Sequence, residues 1–228
     1  VVRAIAPPTA WDALAYHLAL AKRFAAEGSF GDWLTVRQAR WPLGIDALYT
    51  IAESLGGWRL SGAYAAALGV ASTLAAFALA VELSGSRRAG LVAALLFASS
   101  PAVAFVQGVA YAEAGLAALV GCALLAAVRH ARTGLRSDAA IAGLLAGGAA
   151  AVKYTALVWP VLVAFLVVAT SRRWKRALLV LGCAFVVAAP WYLRTFLLGG
   201  NPIWPYAWEW LGGRGWDAAH AARLAALE

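Results

Sequence analysis

From Leu60 to Tyr192 the chain is a series of apolar runs parted by short turns rich in Arg and Lys. That alternation restricts the fold more than any other feature. A helix needs about 20 mainly apolar residues to cross the hydrocarbon of a bilayer, and its backbone polar groups must be satisfied within the segment. The runs read as Leu60 to Leu83, Gly90 to about Ala104, Tyr111 to Val128, Ala139 to Tyr154, Thr155 to Thr170 and Ala177 to Tyr192. The fourth and fifth are shorter than ideal. With 63% hydrophobic and 13% charged residues and a mean hydropathy of +0.74, the composition excludes an ordinary soluble domain. The expected fold is all-α: a polytopic transmembrane bundle of about six helices over residues 60–192.

The net charge of +8 raises the question of a nucleic-acid partner. Position answers it. Arg87 and Arg88, then Arg129, Arg132 and Arg136, then Arg172, Arg173, Lys175 and Arg176 fill three short turns, and six crossings put all three on one side. Lys and Arg concentrate in cytoplasmic loops, so the basic balance reads as topology, with no nucleic-acid surface. Among the 11 Trp only Trp174 falls with those turns, and the rest lie toward the opposite, extracytoplasmic side. Trp favours the membrane boundary, so a thick interfacial layer is expected there. The expected location is the inner (plasma) membrane, crossed several times.

Residues 1–59 are different in character. Pro7-Pro8 opens a turn and a short helix, on which Asp12 and Tyr16 share a face four residues apart. Leu14, Leu18, Ala21 and Phe24 recur at helical spacing, as do Ile45, Leu48, Ile51 and Leu55. Both patterns suit amphipathic helices lying in the interface. Residues 193–228 form a polar, aromatic segment on the same outer side. Val1 at the start, no Met anywhere and a chain that stops at Leu-Glu lead us to expect a piece cut from a longer protein. Cys122 and Cys183 fall inside apolar runs and read as small buried hydrophobes.

Asp12, Glu113, Lys153 and Arg194 converge on the outer side in this topology. Ionisable groups near spans are costly and usually face a cavity or a partner. Each also has a structural reading: a helix cap for Asp12, an ion-pair partner for Glu113, snorkelling for Lys153 and an interfacial anchor for Arg194. His17 reads as a polar residue of an interfacial helix or as an acceptor contact. Gly143 to Ala150 (GLLAGGAA) has no strand before it and reads as close helix packing rather than a phosphate loop. No HExxH, CxxC or Ser-His-Asp spacing occurs. Nucleotides are scarce outside the cytoplasm, and a sugar carried on a lipid phosphate fits. Transfer needs a carboxylate to take the acceptor's proton and cations for the departing phosphate. An inverting displacement puts the two on opposite faces of the sugar.

Three segments carry a resemblance. PPTAWDALAYHLALAKRFAAEG resembles the first outer loop of membrane glycosyltransferases with the GT-C fold. AAVKYTAL, Ala150 to Leu157, is similar to the SVKW/SVKY segment of protein O-mannosyltransferase relatives, and APWYLRTFLLGGNPIWP, Ala189 to Pro205, to the PWYLRN…GNPVFP stretch of bacterial members. The resemblance covers the amino-terminal half of a typical member, implying a helix before Asp12 and further spans after the tail. It implies that Asp12 is the first-loop catalytic acid and Glu113 the last acid of a second-loop DxD/DxE pair. The first position of that pair is Tyr111, so one carboxylate is lost; a divalent metal stays open and no cofactor is required. Lys153 matches the Lys of the SVK segment, and it and Arg194 are the candidates for the donor phosphate. Tyr16, His17 and Tyr154 are the candidates for holding substrate. The expected partners are a polyprenyl-phosphate sugar, membrane lipids, and an acceptor glycan, lipid or protein. A transporter or flippase for lipid-linked glycans would share such an outer cavity, but no internal repeat is visible. A noncatalytic membrane fragment is the third alternative.

Overall fold

The computed structural model describes residues 6–33 and 35–226. Val1, Leu227 and Glu228, on which the expectation of a cut chain rests in part, lie outside them. All regular structure among the described residues is helical. A π-turn, Ala13–His17, runs into α1, Leu18–Glu27; a 3-10 turn, Arg37–Arg40, precedes α2, Gly44–Ser84. Then come α3 (Arg87–Ser99), α4 (Pro101–Val106), α5 (Glu113–Thr133) and α6 (Arg136–Ala150). A 3-10 turn, Tyr154–Leu157, leads into α7 (Val158–Ser171), followed by α8 (Trp174–Gly199) and, in the tail, α9 (Trp208–Leu211) and α10 (Ala218–Ala225).

Among the described residues four stretches are long and apolar enough to cross a membrane: Gly44–Ser84, Glu113–Thr133, Tyr154–Ser171 and Trp174–Gly199. The protein is a multi-pass membrane protein. Helices α3 and α6, of 13 and 15 residues, reach roughly 20 and 22 Å, short of the ~30 Å hydrocarbon core. The six expected runs are therefore four helices of crossing length and two shorter ones packed with them. Helix α3 stops because Ser100, ahead of Pro101, is held extended at φ −58°, ψ 128°. Helix α6 stops where the chain opens out to Lys153 at φ −155°, ψ 143°. Within α2, Gly57 has φ 62°, ψ −158°, a region only glycine readily enters. That break separates an amphipathic piece from the apolar span just beyond it.

The interior is built of small residues and the exterior of large ones. Ala139, Ala142, Ala146, Val163, Val167 and Val180 are fully buried, while Leu91, Leu95, Phe165, Phe185 and Val186 are exposed. Lipid-facing helices invert the soluble pattern in this way, since backbones gain by close approach and large apolar side chains cost nothing against lipid. The tightest contact is α6 on α8. A Cβ on Gly143 or Gly147 would lie 2.4 Å from the carbonyl oxygen of Val180 or Ala184.

Helices α2, α5 and α7 run one way and α3, α6 and α8 return: Arg132 near the end of α5 pairs with Glu82 near the end of α2, and Arg136 shares a cavity with Arg172 and Arg173, so the basic turns share one end of the bundle. At the other end lie residues 107–113, Lys153, the tail and the start of α2, whose Gly44 N–H donates to Ala151 O at 2.9 Å.

Candidate active site

The π-turn determines what the first loop presents. Its i→i+5 bonding, closed by Leu18 N–H to Ala13 O, widens the turn so that residues four and five apart fall near one face. Tyr16 and His17 therefore both turn toward the bundle below Asp12. His17 is 3% exposed and Tyr16 half-buried, whereas Trp11 and Leu14 point outward. Asp12 is half-buried and its carboxylate makes no capping bond. Its N–H donates to the Tyr111 hydroxyl at 3.3 Å. The residue standing where the resemblance implies the first acid of a pair thus holds the backbone of Asp12 through a phenol.

Glu113 opens α5 and Lys153 follows the end of α6. Forty residues apart in sequence, they meet as Nζ to Oε1 at 2.8 Å, each about two-fifths exposed. The second oxygen of Glu113, Oε2, is buried without a hydrogen-bond partner. Tyr16 lines the same small cavity as this pair. Burial pushes its hydroxyl pKa up, and Asp12, Glu113 and Asp46 raise it further, so the phenol stays protonated.

A small cavity of about 20 Å³, room for one water, lies among Tyr16, His17, Asp46, Glu113 and Lys153. Asp46, in the first turn of α2, was hidden in the sequence within an amphipathic run. It is 2% exposed and accepts from His17 Nδ1 at 2.6 Å. A carboxylate there fixes a proton on Nδ1 and sets the ring, which also packs on Tyr16 at 4.1 Å between centroids. Beside this cavity is an apolar one of about 360 Å³ lined by Ile45, Leu48, Tyr64, Leu119, Val152 and Trp191; both touch Val152.

Arg194 and Tyr154 are committed elsewhere. The Arg194 guanidinium donates to the carbonyls of Ala39 (2.6 Å), Phe30 (2.8 Å), Gly31 (3.1 Å) and Trp41 (3.4 Å), tying α8 to the first loop. The Tyr154 hydroxyl donates to Trp204 O at 2.7 Å. Neither lines the small cavity. Arg40, unremarked in the sequence, grips both oxygens of Asp32 (2.7 to 3.1 Å), donates to Arg214 O at 2.6 Å and stacks on Trp204. The GNPIWP turn forms around Asn201, fully buried, whose amide donates to Tyr206 O and Gly212 O. These contacts fasten tail and first loop over the same end of the bundle.

Among the described residues no group of three or more His, Cys, Asp or Glu is arranged to hold a metal ion. One oxygen of Glu113 is on Lys153, and Asp46 is on His17. With these two carboxylates engaged by Lys153 and His17, the donor set does not fit a divalent ion.

No curated protein and no solved structure matches the chain. The family model for dolichyl-phosphate-mannose-protein mannosyltransferases matches residues 42–193. That stretch begins after Asp12, Tyr16 and His17, takes in Asp46, and ends before Arg194. Over about two thirds of its length, and across both partners of the Glu113–Lys153 pair, this chain belongs to the dolichyl-phosphate-mannose-protein mannosyltransferase family of GT-C-type membrane glycosyltransferases.

Proposed function

We propose that the protein moves a sugar from a polyprenyl-phosphate donor to an acceptor hydroxyl at the bundle end that carries Asp12, Glu113 and Lys153. The observation that carries this reading is the 2.8 Å Glu113–Lys153 pair, two residues from the Tyr111 hydroxyl that accepts from the Asp12 N–H. Asp12 takes the proton of the acceptor hydroxyl as the new O–C bond forms at the anomeric carbon. The bond from that carbon to the phosphate oxygen breaks, its electron pair leaves with the phosphate, and Lys153 offsets the charge. Attack and departure occur on opposite faces of the sugar, so configuration inverts. Glu113 holds the Lys153 ammonium in place. Tyr16, kept protonated, donates a hydrogen bond to the reacting sugar. His17, set by Asp46, lines the wall against which substrate sits.

The apolar cavity beside Val152 suits an isoprenoid tail. The basic turns at the opposite end support an active site on the extracytoplasmic face of the plasma membrane. The acceptor is a glycan, lipid or protein hydroxyl presented at that surface.

Lys153→Ala tests the donor assignment. With acceptor saturating, it should raise the KM for polyprenyl-phosphate sugar about 10- to 100-fold, the worth of a charge-assisted hydrogen bond. An unchanged donor titration would remove Lys153 from the phosphate.

A further inference from the structure

The bundle end away from Asp12 carries a second polar cavity, between the start of α6 and the α7–α8 turn. Its volume is about 460 Å³ and it is lined by Arg136, Arg172, Arg173, Trp174, Lys175 and Arg176. All but Trp174 are cations, and no carboxylate lines it. Among the described residues none of these cations forms an ion pair, whereas Arg132 at the same end pairs with Glu82 at 3.1 Å. Arg136, Arg172, Arg173 and Lys175 are exposed like Arg87 and Arg88, but here the fold gathers the charge around one concavity.

The backbone supports the same point. Helix α7 ends on Arg172 at φ 53°, ψ 20°, a left-handed conformation uncommon outside glycine. Helices α1, α2, α5 and α8 end on glycine in that conformation. An arginine kept where glycine relieves strain points to a use for its side chain.

The surroundings identify the ligand. Trp174 is 61% exposed at the mouth, and Leu135 and Leu178 beside it are each 55% exposed. Exposed Trp next to lipid-facing Leu marks the headgroup level of a leaflet. We propose that this cavity binds the phosphate-bearing headgroup of an anionic phospholipid, with the acyl chains lying along Leu178 and Leu181 of α8. Guanidinium groups match phosphate oxygens two at a time, and basic pockets between membrane helices are built to take such headgroups. The proposal is independent of the reaction at the other end.

Native mass spectrometry of the purified protein with phosphatidylglycerol, with phosphatidylcholine and with inorganic phosphate tests it. Neutralising the pocket with Arg136→Gln, Arg173→Gln and Arg176→Gln together should weaken retained phosphatidylglycerol by about 100-fold. The charge-matched control, Arg87→Gln, Arg88→Gln and Arg129→Gln, should keep it. The single reversal Arg136→Glu should reproduce the loss, and serves if the triple variant does not fold. Equal loss in pocket and control variants would reduce the effect to net charge and overturn the proposal. So would phosphatidylcholine held as tightly as phosphatidylglycerol, retention unchanged by the pocket substitutions, or displacement of the lipid by excess inorganic phosphate, which would make the ligand a free anion.

Discussion

Replacing Asp46 by alanine takes away the acceptor of a histidine that solvent barely reaches. The side chains of His17 and Asp46 are 4% and 3% exposed, and their N···O distance is 2.6 Å. Two energies compete. If His17 is neutral, the loss strands one buried N–H, a cost of about 1–3 kcal/mol. If the pair is ionised, it strands a buried imidazolium, and breaking such a pair costs about 3–5 kcal/mol. Asp46 also lies in the first turn of α2, where a carboxylate adds roughly 0.3–1 kcal/mol through the helix dipole. On either footing Asp46→Ala should cost at least about 1–3 kcal/mol. Asp46→Asn can still accept from Nδ1 and should lose less. The double variant His17→Leu/Asp46→Leu should recover most of the loss, because it leaves no unpaired polar group behind. Unfolding in mixed micelles of increasing sodium dodecyl sulfate, followed by Trp fluorescence, reads all three. A cost for Asp46→Ala below about 1 kcal/mol, or single and double variants that simply add, would refute a coupled buried pair.

Gly147→Ala should cost about 1–3 kcal/mol or more, since the new methyl would meet the Ala184 carbonyl at 2.4 Å. Gly182→Ala, on α8 with nothing within 4 Å, should stabilise by about 0.5–1 kcal/mol; the same unfolding assay compares the two. Arg194→Lys cannot fork across four carbonyls, and should lower stability by about 1–3 kcal/mol. It should leave the donor KM close to wild type, in contrast to Lys153→Ala. Tyr16 binds its proton more tightly folded than unfolded. Its contribution to stability is complete below the unfolded value near pH 10 and falls as pH rises beyond it. Tyr16→Phe should therefore flatten part of the alkaline loss of stability measured from about pH 9 to 12.

The bundle was legible because lipid imposes one rule on every span, and alternation between basic and aromatic turns then sorts residues by end. That logic alone brought Glu113 and Lys153 to one side. The Gly143 and Gly147 packing was legible for a similar reason: small residues on one helical face have little use except backbone contact. What escaped was set by tertiary structure. Asp46 sits among Ile45, Leu48 and Tyr49, and only folding shows that the carboxylate is enclosed against His17. The π-turn left no composition signal, yet it turns both Tyr16 and His17 inward where an α-helix offers Asp12 only one of them squarely. Arg194 read either as a donor-phosphate candidate or as an interfacial anchor; its acceptors are carbonyls more than 150 residues away, and backbone oxygens leave no mark in a sequence. Hydropathy marked α3 as a span and α6 as a span shorter than ideal; a pre-proline residue and an extended Lys153 end them early.

The central claim is that Asp12 serves as base at a site whose cation is Lys153. The most direct measurement is transfer of labelled sugar from a polyprenyl-phosphate donor in proteoliposomes, wild type against Asp12→Asn, with donor binding measured on the same preparations. A general base contributes about 10²- to 10⁴-fold, so Asp12→Asn should lose transfer by at least that lower figure while binding donor as wild type does. Transfer retained by Asp12→Asn, or no transfer by the wild type from any polyprenyl-phosphate sugar, would contradict it.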